Sequence, residues 1–556
     1  MVILTSNTLL VEPRTIFDDA GCTGVRTLNF AFEETSDWRH PTVIDGLDVI
    51  PLSFWNTTKP ENEDPSGWFD YYTGPHPRYA QTATLSAFLN QVVERRNASF
   101  DTCGSAWNCT FEIKFTAPGY KCTELASGVG SNAVNLTQQS GGAEPPFGTD
   151  LLLPKGTFAY YAFASGGDYS MTQMTNLNPR GVPASAPPYP KHLGALRTEP
   201  VIWIGYVVPT RPGLRQPNNA SDPAFSTAFT PKMFACEHYE TAYTAVFNFT
   251  DGKQVARVTN RTFLAPVINT TYVPGLQAND GTNDNTTAVP EDNYILPTDV
   301  ARYRRTAAYY SLGVILRAFV NGTVELDPRR PMPIVNTAAL QTKLLDPRSG
   351  YFPFPNLMDL VQGLYEDMIL SLLSEPQFAE VVWAARPGEQ SGSLAAAPAG
   401  ADAAAYTYPC TRTRTANLYS YHARDLWIVY GIAVVLGLLS VLAGTDALRA
   451  NGGESRNNRF SALVAATRGP ELERVRWGGP GIGKGEVPDD VKLLRLGYGQ
   501  LGTEGGVHGV GDGGSVSSGY PDARPGVAWK GEGTRYGFGL EGDVRQVRRR
   551  GFLHSR

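Results

Sequence analysis

An uninterrupted apolar run, "LWIVYGIAVVLGLLSVLAG" at residues 426–444, constrains the fold of this chain most strongly. It holds nineteen residues without a charge. At about 1.5 Å per residue, a helix of this length crosses the roughly 30 Å hydrocarbon core of a bilayer. Tyr419, Tyr421, Trp427 and Tyr430 cluster at its front end, as aromatic side chains do at a membrane interface. A buried core helix is the alternative. The pattern predicts one C-terminal transmembrane helix, with the lipid bilayer as its partner.

The two sides of this run differ in charge. The segment after residue 444 contains 17 Lys and Arg against 13 Asp and Glu, a net charge of +4. Because the whole chain carries −5 and the run carries no charge, residues 1–425 carry −9. An acidic front segment argues against nucleic acid as a partner, since nucleic-acid-binding domains are basic.

Acceptor sites for N-glycosylation give the run a direction, whereas the arginines flanking it are balanced and give none. Ten Asn-x-Ser/Thr triplets occur among the 21 asparagines of residues 1–321, and none follows. We therefore expect the front segment to lie in the lumen or outside the cell, and the tail in the cytosol. The candidate asparagines are Asn56, Asn97, Asn108, Asn135, Asn219, Asn248, Asn260, Asn269, Asn285 and Asn321.

Cysteine usage agrees with this direction, because all six cysteines precede the run and the tail has none. An even number confined to one side predicts up to three disulfides in an oxidising compartment, which points to the plasma membrane or the secretory pathway. Fifteen pairings are possible, and the alternative is a set of buried thiols. The candidates are Cys22, Cys103, Cys109, Cys122, Cys236 and Cys410.

The first residues, "MVILTSNTLLVEPRTIFDDAG", do not resemble a signal peptide, because a basic start is missing and polar residues interrupt the apolar stretch. Translocation of the front segment would then depend on segments upstream of this chain. The alternative is that the orientation is wrong, and we expect upstream segments to exist.

Several strands are predicted for the front segment. In "NCTFEIKFTAPGYKC", apolar and polar residues alternate, which is typical of a half-buried strand. "TFAYYAFA" and "VIWIGYVV" favour buried strands. Residues 233–264 predict a hairpin, in which Asp251-Gly252 suits a type I′ turn.

Three helices are predicted from apolar residues at helical spacing: 79–97, 299–320 and 357–374. The second resembles a membrane span, but Arg317 interrupts it, and a crossing there would separate the acceptors Asn285 and Asn321. Asp299 is the predicted N-cap of this helix, and Gly322 lies beyond its end.

The chain divides into four predicted parts. Residues 1–385 form an α+β, β-rich ectodomain of one or two subdomains, and residues 386–425 form a flexible stalk and a juxtamembrane segment. The transmembrane helix covers 426–444. Residues 445–556 form a cytosolic tail with one short juxtamembrane helix, and the tail is Gly-rich and disordered from about residue 478.

No motif assigns a reaction. The chain lacks His-Glu-x-x-His and Gly-x-Ser-x-Gly, so neither a metallohydrolase nor a serine-hydrolase site is predicted. "GGPGIGKG" places Gly485 where a phosphate loop needs Ser or Thr, and "GYGQLG" opens no predicted helix. The acidic group Glu61, Glu63 and Asp64 fits a solvated loop better than an acid/base pair. We predict no catalytic, cofactor or metal site.

Small residues on one face of the apolar run, Ala433, Gly437, Ser440 and Gly444, would permit close helix contact. The partner would be a second copy or upstream helices.

Three segments together carry a family resemblance: "CGSAWNCTFEIKFTAPGYKC" (103–122), "FACEHYETAY" (234–243) and "YPCTRTRTANLYSYHARDLWIVYG" (408–431). They resemble a fungal family of uncharacterised membrane proteins, some labelled "formylmethionine deformylase-like", and the likeness extends over most of residues 1–475. It implies several transmembrane helices ahead of the ectodomain. The deformylase label finds no support, since its zinc motif is absent.

The combined expectation is an integral membrane glycoprotein that acts without catalysis as a surface sensor, an interaction module or a structural component. The alternative is an enzyme of the secretory pathway, such as a carbohydrate-active hydrolase. A concave pocket with converging ionisable groups would distinguish the two.

Overall fold

The computed structural model describes residues 9–44, 47–62, 66–136, 143–166, 176–211, 223–276, 278–283, 287–327, 332–384, 407–450, 493, 495–501, 536–540 and 544–545. They fall into two units, each described by itself. One unit is Pro13–Leu418, and the other combines Met1–Glu12 with Tyr419–Arg556.

The strands share a largely antiparallel arrangement. In chain order they are β1 (Leu9–Asp18), β2 (Arg26–Leu28), β3 (Val43–Ile44), β4 (Leu47–Asp48), β5 (Ser53–Thr57), β6 (Asp70–Pro75), β7 (Asn108–Ser127), β8 (Phe158–Ser165), β9 (Val201–Pro209), β10 (Phe229–Thr250), β11 (Lys253–Pro266), β12 (Thr271–Tyr272), β13 (Ala288–Val289), β14 (Gly322–Glu325), β15 (Ile334–Thr337), β16 (Leu345–Asp346), β17 (Phe352–Pro353), β18 (Val381–Trp383), β19 (Thr411–Tyr421), β20 (Leu496–Leu501), β21 (Tyr536–Leu540) and β22 (Val544–Arg545).

The helices vary from one turn to eight. They are α1 (Ala31–Thr35), α2 (Pro77–Leu89), α3 (Ala98–Cys103), α4 (Phe225–Ala228), α5 (Val300–Val320), α6 (Leu357–Ser371) and α7 (Ala423–Ala450). Short 3₁₀ segments occupy Thr149–Leu151, Glu291–Asn293, Ala338–Gln341, Pro347–Ser349 and Leu372–Ser374.

A nine-stranded sheet organises the described residues. Its strand order is β1-β19-β7-β10-β9-β8-β14-β15, and β11 pairs with β10 beside this path. The long strand β10 pairs with β7 along one edge, while its other edge pairs first with β9 and then with β11. This sheet, with helices packed on it, agrees with the predicted α+β class.

Alternation in β7 explains why this segment is a central strand. Cys109, Phe111, Ile113 and Phe115 are buried, and the residues between them are exposed, as predicted. Burying one face of such a strand removes its apolar side chains from water, at about 25 cal/mol per Å². The predicted strands around residues 157–164 and 201–208 are also present, as β8 and β9.

The predicted hairpin is formed by β10 and β11. Asp251 and Gly252 both have positive φ, 51° and 79°, and Thr250 pairs directly with Lys253 across the turn. Two central residues with positive φ are the requirement of a type I′ turn. The turn prediction is therefore confirmed.

Two of the three predicted helices match the structure, and both pack against the sheet. In α6, Leu357, Val361, Leu364 and Met368 are fully buried, and its continuation to Ser374 is a 3₁₀ turn. Thirteen residues of α5 are buried, so its apolar side chains pack in the interior of the protein. Asp299 occupies the N-cap position of α5 without a side-chain capping bond.

The predicted helix at 79–97 is wrong at both ends. α2 begins at Pro77, with the ring of His76 accepting a capping hydrogen bond from the Arg78 amide, and it stops at Leu89. Asn90 adopts a left-handed conformation, φ 55°, which ends a helix and which asparagine tolerates better than most residues. The chain then runs irregularly until α3 begins after Asn97.

All six cysteines are paired: Cys22–Cys410, Cys103–Cys109 and Cys122–Cys236. The first disulfide joins residues 388 apart in sequence, so the start of the front segment is tied to the approach to the apolar run. The third links the neighbouring strands β7 and β10, where the two cysteines are directly paired in register. The prediction of three disulfides is confirmed.

α7 contains the whole apolar run and extends it on both sides. Its most apolar window has a mean hydropathy of 2.5 and none of that window is buried, so α7 is long and apolar enough to cross a membrane. No other helix of the described residues meets that test. Ala433, Gly437, Ser440 and Gly444 are exposed on it, and their contact with another helix stays a prediction.

In the tail, β20 pairs with both β21 and β22, so "GYGQLG" lies largely within a strand. Most of the predicted stalk, the short juxtamembrane helix and "GGPGIGKG" lie outside the described residues.

Candidate functional site

A short disulfide loop presents Trp107 at one end of β7. The Cys103–Cys109 bond closes this loop between α3 and the strand. Gly104 and Ala106 both have positive φ, 91° and 60°, so the backbone turns sharply on either side of Ser105. The loop therefore holds the half-buried indole of Trp107 in a fixed place.

Two arginines on β19 approach the same indole. Arg412 and Arg414 are two residues apart on a strand and therefore lie on the same face. Their guanidinium carbons are 5.0 Å and 4.8 Å from the centre of the Trp107 ring. The pairing of β19 with β7, which sets Arg412 opposite Cys109, fixes this placement. Both contacts are in the range of a cation–π interaction.

The two arginines differ in their other contacts. Arg412 forms an ion pair with Asp18 and donates a hydrogen bond to the Cys103 carbonyl at 3.4 Å. A hydrogen bond from the Ala20 amide and the guanidinium of Arg412 together hold the pKa of Asp18 below its usual value. Arg414 has no carboxylate partner among the described residues, and its Nε is buried without an acceptor there.

Arg414 and Trp107 line a groove of about 580 Å³. The hairpin turn at Asp251-Gly252 forms a second wall, and Asn97, Ser99 and Phe100, at the start of α3, form a third. A volume of this size is within the range of sites for small ligands, roughly 300–1,000 Å³. The groove, defined by these residues, is called the Trp107 groove below.

The chemistry of the Trp107 groove suits a polar ligand with a negative group. A guanidinium binds carboxylate or phosphate through paired N–H donors. Ser99 and Asn108 offer hydroxyl and amide groups, while Glu94 and Asp251 add acceptors for a ligand's own hydroxyls. The side chain of Phe100 is 65% exposed and adds an apolar surface.

A buried series of contacting polar side chains has the same types of group as a catalytic triad. His238 lies with its Nε2 2.8 Å from the Tyr365 hydroxyl and its Nδ1 3.3 Å from the Glu199 carboxylate. Arg317 stands 3.6 Å from the same carboxylate and donates to the Tyr120 hydroxyl at 3.1 Å. A carboxylate, an imidazole and a hydroxyl in series are the parts of a nucleophile with its base.

A substrate cannot reach these buried groups, and this excludes a catalytic role for them. Tyr365 is 0% exposed, and burial raises the pKa of its phenol well above the ordinary value, so it stays protonated. The cavity beside Glu199 and His238 measures about 20 Å³, which is room for about one water molecule and not for a substrate. The arrangement places oppositely charged and polar groups next to each other where α5 and α6 meet the sheet, and Cys236 on the same strand is bonded to Cys122.

A second buried pair consists of Glu33 on α1 and Glu380. Burial raises the pKa of Glu33 to about 7, and burial together with the neighbouring Glu33 raises that of Glu380 well above its usual value. Glu33 also accepts a hydrogen bond from the Leu52 amide at 2.9 Å. Neither side chain is more than 1% exposed, so a substrate cannot reach them.

The predicted glycosylation sites are distributed unevenly over the surface. Asn97, Asn135, Asn248, Asn260 and Asn269 are exposed, and Asn56, Asn108 and Asn321 are half-buried. Asn219 and Asn285 lie outside the described residues. The amide of Asn56 donates to the Tyr71 hydroxyl at 3.2 Å, and the amide oxygen of Asn321 is buried. These last two positions are the least suited to a glycan.

The Trp107 groove was not predicted from the sequence. Two signals point to it in hindsight: a cysteine pair six residues apart around a tryptophan, and two arginines spaced to share a strand face. Of the acidic group at 61–64, exposed Glu61 pairs with Arg180 at 3.1 Å, and the other two acids lie outside the described residues. The described residues bring no three potential metal ligands together.

Comparisons of the chain with protein-family models, with curated proteins and with solved structures find no significant match. The resemblance to the fungal membrane family stays a prediction.

Proposed function

We propose that this chain is a membrane-anchored glycoprotein whose ectodomain binds a carboxylate- or phosphate-bearing ligand in the Trp107 groove, without catalysing a reaction. The ectodomain faces the lumen or the cell exterior, and α7 anchors it. The observation that carries the proposal is Arg414, a guanidinium held on an indole at the edge of a cavity without a carboxylate partner among the described residues.

The energetics of Arg414 favour a ligand. Burying the Nε of Arg414 without an acceptor in the described part of the chain costs free energy, and an acidic ligand would offer this guanidinium a charge-assisted hydrogen bond. Stacking on Trp107 restricts the side chain before a ligand arrives, which lowers the entropy lost on binding. A neighbouring arginine, Arg412, already has Asp18 as its partner and is not among the residues that line the groove.

The alternative of a secretory-pathway enzyme has less support. Glu33, Glu380 and Tyr365 have strongly raised pKa values, and all three are buried beyond the reach of a substrate. An enzyme needs such groups to converge on a cavity that a substrate can enter.

Calorimetric titration tests the proposal. The full chain, purified in detergent and measured before and after enzymatic removal of N-linked sugars, is titrated with glucuronate, glucose 6-phosphate and uncharged glucose. Binding of one of the acids but not of glucose is expected. Arg414→Gln should weaken binding about tenfold or more, since a hydrogen bond to a charged group contributes about 1.5–3 kcal/mol.

Arg257→Gln is the matched control, because Arg257 is an exposed arginine on β11 away from the groove. The same affinity in wild type and Arg414→Gln, or no binding of either acid, contradicts the proposal. Equal loss in both arginine variants would show that net charge, rather than the groove, governs binding.

A further inference from the structure

Two of the ten predicted acceptor asparagines open on the Trp107 groove. Asn97 lies just before α3, with its side chain exposed and without a capping hydrogen bond. Its hydroxyl partner in the acceptor triplet, Ser99, lines the same groove. A sugar attached to Asn97 would therefore start at the lip of the cavity.

Asn108 lines the same groove from the start of β7. Its amide oxygen accepts a hydrogen bond from the Asp251 backbone at 3.0 Å, which ties the side chain to the hairpin turn. No described residue accepts a hydrogen bond from its amide nitrogen, the atom to which a sugar is attached. Two acceptor asparagines thus line one cavity, which Arg414 also lines.

We propose that N-glycans on Asn97 and Asn108 cover the Trp107 groove and control the access of ligand to Arg414. This inference rests on the proposed function and on the proposed lumenal position of the ectodomain. In the attachment reaction, the Asn amide nitrogen displaces the pyrophosphate of a lipid-linked oligosaccharide at the anomeric carbon of N-acetylglucosamine, and the amide loses a proton. The lipid pyrophosphate leaves, and no redox partner is needed.

The surroundings of the two asparagines suit a glycan that lies down rather than pointing into solvent. Trp107 and the exposed ring of Phe100 offer apolar surface to the C–H face of a sugar. The carboxylates of Glu94 and Asp251 can accept hydrogen bonds from its hydroxyls. A glycan packed in this way covers the guanidinium of Arg414 without needing to bind it.

Other exposed acceptors provide a built-in comparison. Asn260 lies on β11, an edge strand, and does not border the Trp107 groove. A glycan there should leave Arg414 accessible. The acceptor triplets at Asn97, Asn108 and Asn260 can each be destroyed at the hydroxyl residue, through Ser99→Ala, Thr110→Ala and Thr262→Ala, without changing the asparagine.

The test measures the reactivity of Arg414 with phenylglyoxal, mapped by mass spectrometry on the full chain made in a glycosylating eukaryotic host. In wild type, Asn97 and Asn108 should carry sugars and Arg414 should react slowly. The double variant Ser99→Ala/Thr110→Ala should raise the rate severalfold, and Thr262→Ala should leave it unchanged. Exposed Arg257 serves as an internal reference whose rate stays constant in every variant.

Because Thr110 also donates a hydrogen bond to Asn248 at 3.2 Å, a second measurement avoids substitution altogether. Trimming of the folded wild type with endoglycosidase H should raise the Arg414 rate in the same direction. Bare asparagines at both positions in wild type, or an Arg414 rate that trimming and the double variant leave unchanged, overturns the inference.

The two proposals fail in different ways. If Arg414 becomes reactive in the double variant but glucuronate and glucose 6-phosphate still do not bind, the glycan cover exists and the proposed function is wrong. If Arg414→Gln abolishes acid binding while loss of both glycans changes neither binding nor reactivity, the function stands and the cover is wrong.

Discussion

Glu33 and Glu380 are neighbouring carboxyl groups in the interior, and burial together with their proximity raises the pKa of Glu380 well above its usual value. Two buried carboxylates in proximity repel each other, which favours the protonated form of at least one of them. Because both groups hold their protons to a higher pH in the folded chain than in the unfolded one, the folded state binds more protons than the unfolded state above about pH 4.5.

This pair predicts that the ectodomain is more stable in acid than in base. The contribution of the pair is fully present below the unfolded pKa of about 4.5 and is lost as the pH rises through about 7, the pKa of Glu33. The free energy of unfolding should fall by at most about 1.4 kcal/mol per pH unit for each group. Unfolding by denaturant at several pH values between about 5 and 8 measures this change in the free energy of unfolding.

Glu380→Gln is the variant that isolates this effect. An uncharged amide can donate to Glu33 at every pH, so the decline of stability with rising pH should become shallower. Glu375→Gln, at a position closer to solvent, should keep the wild-type slope. Equal slopes in wild type and Glu380→Gln would show that the pair does not set the pH dependence.

The Cys103–Cys109 disulfide is expected to matter more for the Trp107 groove than for the fold. It closes a loop of only about seven residues, for which the chain-entropy model gives about 2 kcal/mol. Cys103→Ser/Cys109→Ser should therefore leave a folded ectodomain with a lower melting temperature but weakened acid binding.

The contrasting variant is Cys22→Ser/Cys410→Ser, which opens a loop whose ends are 388 positions apart in sequence and should cost more stability in the same unfolding assay. If Cys103→Ser/Cys109→Ser lowers the melting temperature but binds glucuronate and glucose 6-phosphate as wild type does, the role of this disulfide in placing Trp107 is contradicted.

Tyr365→Phe tests whether the polar chain through His238 is structural. Losing the hydroxyl leaves His238 Nε2 without its partner at 2.8 Å, at a cost of about 1–3 kcal/mol for a buried unsatisfied group. Thermal unfolding should show that loss, while acid binding in the groove should not change. Tyr272→Phe, at an exposed tyrosine, is the control and should be neutral. Unchanged stability in Tyr365→Phe would contradict a structural role.

Local patterns predicted the parts of the fold that depend on local rules. The alternation in β7, the preference of Asp251-Gly252 for positive φ and the spacing of leucines in α6 are each visible within a few residues. These patterns therefore predicted a strand, a turn and a helix. The end of α2 was missed because Asn90 is not an obligatory helix stop, and tertiary packing decides whether it adopts positive φ. Glu33 sits in the polar-looking segment "FEET", and only the fold buries it.

The candidate site depends on long-range pairing, which the sequence does not express. Trp107 and Arg414 are brought together because β19 pairs with β7 and because Cys22 is bonded to Cys410. Because fifteen disulfide pairings were open, the sequence could not show that Cys22 bonds to Cys410 or that Arg414 lies next to Trp107. The acceptor asparagines were visible individually, but that Asn97 and Asn108 border one cavity follows from the fold alone.

The proposed lumenal or extracellular position of residues 1–385 is the central claim, because the proposed glycans and the proposed access of a ligand both depend on it. Glycopeptide mapping of the native protein, combined with thiol alkylation before and after reduction, measures it most directly. The account predicts sugars on exposed acceptors such as Asn97 and Asn260, and six cysteines that react only after reduction. Unmodified asparagines at every acceptor, together with cysteines that react without reduction, would contradict it.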